Sequence, residues 1–227
     1  MISCNFPVLD EPVRFAENLP NMLIVEEVHV YSQILYSLYQ QENGIQPDYP
    51  FHFFDDNFEN LSSLAVIQNP LTFDFNTAAF KKLLFSRIIA TLDMDERQKI
   101  ESTYNELVQY FNQQVFEDIE IEVSISEAYK LEELFKLLKI NILDNSSSIF
   151  DKTQLILNVF HELSNKELFV FCGLGTMLTA EEFNLIIETA TLNQQNVLFL
   201  ENHEVEKLVK IKQFCVDKDY FCTEKML

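Results

Sequence analysis

The sequence predicts an α/β fold with a helical domain inserted into its middle, and three observations carry that expectation. All 6 prolines fall within the first 70 residues, so helices can run unbroken through the remainder. The last third alternates short apolar runs with a capped helical pattern. The middle third carries three helical patterns in succession. Residues 1–56 and 148–227 are therefore expected to share one sheet, with 57–147 as the inserted domain.

The elements follow in chain order. SCNFPVL, PVRFA and NMLIVE are short, apolar and punctuated by proline, which favours strands. In 28–41, Val28, Ile34, Leu35 and Leu38 recur near helical spacing. ENGIQPDYP reads as a loop and PFHFFDD as a further strand. The stretch 77–92 is apolar nearly all round, so a helix there is expected to be buried on more than one side, the second side against another subunit. Asp93 and Glu96 form a capping box, and Ile100, Tyr104, Leu107 and Phe111 then make a heptad-like seam. Ser124 and Glu127 form a second capping pair, ahead of a face with Leu131, Leu134, Phe135 and Leu138. Residues 151–163 read as helix, LFVFC as strand, LTAEEFNLIIETAT as a helix capped by Thr179 and Glu182, and NVLFL as strand. Strand, helix and strand at this spacing predict a parallel crossover pair.

Composition narrows the function. With 48% hydrophobic and 23% charged residues the chain can bury a core, so extended disorder is excluded. No apolar run approaches the roughly 20 residues that span a bilayer, and MISCNFPVLDEP lacks the pattern of a secretory signal. Cys4, Cys172, Cys215 and Cys222 form no CxxC, which reads as reduced thiols of a cytoplasmic protein. The formal net charge is −20, and no third of the chain is basic. Taken alone, this argues against binding DNA, whose phosphates need Lys and Arg.

Several motifs bear on chemistry. Cys172-Gly173-Leu174-Gly175-Thr176 lies between a strand and a helix, where a phosphate loop would sit, yet no lysine occurs between Lys166 and Lys207. It reads as a strand-to-helix turn that uses glycine for its backbone freedom. In EDIEIEVSISE, Ile119, Ile121, Val123 and Ile125 alternate with Glu120, Glu122, Ser124 and Ser126, flanked by Glu117, Asp118 and Glu127. The segment reads as a solvated strand face or as hard oxygen ligands for Ca²⁺ or Mg²⁺. Lys81, Lys82 and Arg87 form one modest basic patch, and Lys207, Lys210 and Lys212 another. His29, His52, His161 and His203 are scattered, and neither HExxH nor G-x-S-x-G occurs. Asp217 and Asp219 read as a turn before a final strand. No positive sign of catalysis emerges.

NFPVLDEP, FDFNTAAFKKL, SSIFDK, LTAEE, VLFLE and VDKDYF follow one another along nearly all 227 residues. In that order and total length the sequence resembles the Csn2 family, in its short form, the small adaptation protein of subtype II-A CRISPR systems. The resemblance implies an α/β head related to P-loop ATPase folds but lacking their nucleotide motifs, with an inserted α-helical leg. It implies a homotetrameric ring, stabilised by calcium, that binds double-stranded DNA ends without sequence preference. Such a protein is not an enzyme and acts in spacer acquisition, in antiviral defence, beside the integrase pair and the RNA-guided nuclease. Lys82 and Lys152 fall on family lysines, and Lys81 and Arg87 join them by proximity as DNA contacts. Glu117, Glu120, Glu122 and Glu127 fall in the family's acidic, calcium-bearing segment, with Ser124 and Ser126 standing where acids fit the usual pattern. Two other readings compete: a protein-binding adaptor without functional DNA binding, and a metal-dependent nuclease using Glu120 and Glu122.

Overall fold

The computed structural model describes residues 1–61, 63–116, 121, 123, 125, 130–164 and 166–226. The chain divides into two compact units, one of Met1–Phe73 with Asp144–Leu227 and one of Asp74–Leu143. The first is mixed α/β. Its main sheet has six strands in the order β5(Leu64–Ile67), β6(Leu168–Cys172), β7(Val197–Glu201), β3(Pro20–Val25), β8(Lys212–Val216) and β9(Cys222–Met226). All neighbours are parallel except β8 and β9.

A parallel sheet must be covered on both faces, and its strands then read as continuous apolar runs. The three central strands do so: β3, β6 and β7 are buried at every position. Alternation along each strand sorts their side chains. Leu23, Val25, Val170, Leu198 and Leu200 share a core with Ile34 and Leu38 of α1(Val28–Glu42). The same core takes in a small antiparallel sheet, β2(Val13–Arg14), β1(Ser3–Asn5) and β4(His52–Phe54), through Val13, Cys4 and Phe53, with Phe51 just before β4. On the opposite face, Phe169 meets Phe160 of α5(Ile149–Leu163) at 4.7 Å between ring centres, and Phe199 meets Phe183 of α6(Ala180–Leu192) at 4.8 Å. Thr179 and Glu182 close a full capping box at the start of α6, as the sequence predicts.

The second unit contains α2(Ala78–Thr91), α3(Met94–Tyr110), a π-helical turn over Phe111–Val115, and α4(Leu131–Leu137). Thr77 caps α2, and Asp93 with Glu96 forms the expected capping box of α3. Phe85 of α2 and Phe135 of α4 are buried and pack with ring centres 5.5 Å apart. The side chain of Asn76 accepts from the Ile142 N–H at 3.0 Å and donates to its carbonyl at 3.1 Å, which joins the two ends of the unit. Of α2's apolar residues only Phe85 is buried; Leu83 is exposed, and Leu84, Ile88 and Ile89 are half-buried.

The expected boundaries at 57 and 147 differ from the observed ones. Residues 57–73 belong to the first unit because β5 within them pairs with β6. That pairing is long-range, so local periodicity does not reveal it. In chain order the helical unit interrupts the crossover from β5 through α5 to β6. The capping pair Ser124 and Glu127 lies outside the described residues.

Phe85→Ala is expected to cost about 3–5 kcal/mol, the usual penalty for emptying a buried Phe site. Urea unfolding followed by helical circular dichroism measures it, and a variant as stable as the parent would show that the Phe85–Phe135 contact does not hold the second unit together.

Candidate nucleic-acid interface

Open α/β sheets place ligand sites beyond the carboxyl ends of their parallel strands. There the glycine turn after β6 meets the end of β7. Gly173 adopts a left-handed conformation with φ of 71°. Glu201, the last residue of β7, is 0% exposed, and its Oε1 accepts the Gly175 N–H at 2.9 Å. The Leu174 N–H points to the same carboxylate. Its Oε2 is buried and has no hydrogen-bond partner among the described residues. A Cβ on Gly175 would stand 2.5 Å from Val205 Cγ2 and 3.1 Å from Glu201 Oε2, so glycine is required there by close approach. Burial pushes the Glu201 carboxyl up from 4.5 to about 7, against the lowering pull of the two loop amides.

A second strand end is closed in the same way. Helix α1 follows β3, and the Glu27 carboxylate accepts the Val30 N–H at 2.8 Å. Helix starts and glycine turns attract anions. Here both are filled by the protein's own carboxylates, which leaves neither as an open phosphate cradle.

The sequence-derived basic residues separate. Lys81 is half-buried on α2, while Lys82 and Arg87 are exposed. At about 100° per residue, Lys82 lies about 100° and Arg87 about 240° from Lys81 around the helix, so no single face gathers all three. Lys152, in the first unit, is only 5% exposed, and its ammonium is paired with Asp144. Lys212 pairs with Glu224 at 3.0 Å and lies over the Phe214 ring. Lys207 and Lys210 are exposed.

The predicted calcium ligands Glu117, Glu120, Glu122 and Glu127 all lie outside the described residues. Among the described residues no cluster of three or more His, Cys, Asp or Glu is placed to hold a metal ion. The four histidines are exposed on separate segments. Asp217 accepts the Asp219 and Phe221 N–H groups, both at 2.9 Å, forming the expected turn before β9. In the second unit, Leu92, Ile100, Tyr104, Leu107, Leu134 and Leu138 line a mostly apolar groove of about 930 Å³, which contains much of the predicted heptad seam.

Sequence reasoning misses Glu201 and Asp144. An acid ending an otherwise apolar strand, VLFLE, is the available sign of the first. Asp144 precedes the helix that carries Lys152, so no periodicity links the pair.

The family model for CRISPR-associated protein Csn2 matches residues 46–220. CRISPR-associated protein Csn2 of Streptococcus agalactiae is 32% identical over 225 residues, covering 97% of each chain. The protein of the same name from Enterococcus faecalis is 28% identical over 221 residues, covering 96% of each. The crystal structure of Stu0660 of Streptococcus thermophilus is similar in fold, with a TM-score of 0.56 at 12% identity over 95% of this chain and 74% of that one.

The buried carboxyl of Glu201 has a thermodynamic consequence. Its folded value lies above its unfolded one, so the folded state binds the extra proton between pH 4.5 and about 7. Stability therefore falls as pH rises through that window, by on the order of 3 kcal/mol in total. Glu201→Gln removes this dependence. Urea unfolding at pH 5, 6, 7 and 8 is expected to show the parent losing stability relative to the variant; parallel profiles would place the titration elsewhere.

Proposed function

The chain belongs to the Csn2 family of CRISPR-associated proteins, which works in spacer acquisition within the type II-A adaptation machinery, and we propose that it serves there as a non-catalytic binder of double-stranded DNA ends. The observation that carries this reading is family similarity over 97% of the chain. In it the α/β unit is the head, a relative of P-loop ATPase folds in which Glu27 and Glu201 have taken the phosphate positions. The helical unit is the leg. The chain is a short-form member acting in the cytoplasm, beside the integrase pair and the RNA-guided nuclease.

Four copies form a ring in this reading. Support comes from the apolar groove of the helical unit and from the half-covered apolar surface of α2. A ring also addresses the charge problem. A chain at −20 holds DNA only where cations gather locally. Lys82, exposed on α2, is the leading contact, supported by Lys81, Arg87 and Lys152. Contacts of this kind go to phosphates, so binding is independent of sequence and sensitive to salt. Glu117, Glu120, Glu122 and Glu127 offer only oxygen donors, which suits a hard cation such as Ca²⁺ and not zinc. Calcium there would offset carboxylate repulsion and stabilise the assembly.

Lys82→Glu is expected to weaken every linear duplex alike and to flatten the salt dependence of log K by about 0.9 for each phosphate that is no longer neutralised. Closing the DNA into a covalent circle should abolish threading by a ring. A protein that binds neither linear nor circular duplex would favour the adaptor reading, and cleavage products with Mg²⁺ or Mn²⁺ would favour the nuclease.

Glu120→Ala with Glu122→Ala is expected to reduce the calcium titration heat and the share of tetramer in solution. Unchanged heat would move the ion to other ligands, and a monomeric mass at all concentrations with calcium would remove the ring.

A further inference from the structure

Lys152 is the one proposed DNA contact that is buried, and the way it is buried has a direction. Its side chain is 7% exposed, whereas that of its partner Asp144 is 35% exposed. Asp144 is therefore the more solvent-accessible member of the pair. Beside the pair opens a pocket of about 420 Å³, lined by Leu71, Asp144, Ser146, Ser147, Ser148 and Ile149, with Lys152 in its wall. Asp144 also accepts the Ser146 N–H at 3.1 Å, and Asp151 accepts the Ser147 hydroxyl at 2.7 Å. The Lys152 and Ser146 contacts hold the Asp144 carboxyl down at about 2, so it is ionised at every physiological pH.

We propose that Asp144 is a built-in competitor for the DNA phosphate: Lys152 engages a duplex by exchanging the Asp144 carboxylate for a phosphate oxygen. This rests on the DNA-binding reading above and adds a positioning residue to it. Leaving a buried ammonium unpaired is costly, but exchanging one anion for another keeps it paired throughout. An incoming phosphate meets the carboxylate first and is repelled until a short, well-aligned contact replaces it. Asp144 thus weakens binding to stray anions and to single, poorly placed phosphates, and it makes Lys152 contribute only to a duplex already held by other contacts.

The test measures binding to one linear duplex by fluorescence anisotropy across a salt series. Asp144→Asn is compared with the parent, with Asp10→Asn as a control that removes one charge from an exposed acid elsewhere, and with Asp144→Asn combined with Lys152→Met. The Asp144→Asn protein is expected to bind several-fold more tightly than the Asp10→Asn control. Its salt dependence should steepen by about 0.9, the signature of one further phosphate contact. Adding Lys152→Met should cancel both gains. Asp144→Ser, which leaves the ammonium a hydroxyl acceptor, carries the same expectation should the Asn variant fold poorly. Affinity no better than that of the control, or a gain that survives Lys152→Met, overturns the inference while leaving the DNA reading intact. If the parent itself binds no duplex at low salt, the DNA reading fails and this inference falls with it.

Discussion

Strand β3 must satisfy its backbone on both edges, and it does so with β7 on one side and β8 on the other. Both partners come from the last third of the chain. Unpaired peptide groups at the centre of a buried sheet cost free energy that apolar contacts do not return. The two ends of the sequence are therefore bound into one unit, and what lies between them has to leave the sheet and come back. The helical unit occupies that excursion, and Asn76 ties its outgoing stretch of chain to the returning one through both hydrogen-bonding groups of Ile142. The same sheet sets the positions of the glycine turn and of Glu201, because both hang from the ends of its central strands.

Part of the acidic surplus serves internal tasks. Glu27 satisfies a helix start, Glu201 satisfies a turn, and Asp144 satisfies a buried lysine. Some cations are likewise engaged: Lys212 pairs with Glu224 and Lys225 with Glu204. A nucleic-acid surface on such a chain depends on which cations stay accessible, far more than on how many the sequence contains. Lys82 and Lys152 illustrate the difference, one exposed on a helix surface and the other enclosed beside a carboxylate.

Much of the fold is legible in the residues. The runs LFVFC and VLFL, the boxes at Asp93 and Thr179, and the helix after Thr77 each carry their signal within a few positions, and the structure has the corresponding elements. Strands β5 and β8 are not legible, because β5 has only four residues and β8 carries Lys212 and Gln213 among its apolar positions, so each shows as a strand only through its pairing with a remote partner. The site is less legible for the same reason. The apolar periodicity that marks a helix says nothing about which lysine a distant aspartate will cover. Gly175 reads in the sequence as backbone freedom, whereas in the fold it is a matter of space beside Glu201 and Val205.

Parallel pairing across the whole chain also orders events during synthesis. The helical unit, Asp74–Leu143, is one continuous stretch of chain, so all of its residues have been made by residue 143. The edge of β3 facing β8 stays open until residue 216 has emerged, although β3 itself is made among the first 25 residues. Non-local strand pairing of this kind is slow and leaves apolar edges exposed meanwhile. The nascent chain thus carries the whole helical unit beside an unfinished sheet from residue 143 until residue 216 is made, and it is the sheet, not the insertion, that needs protection until the last strands arrive.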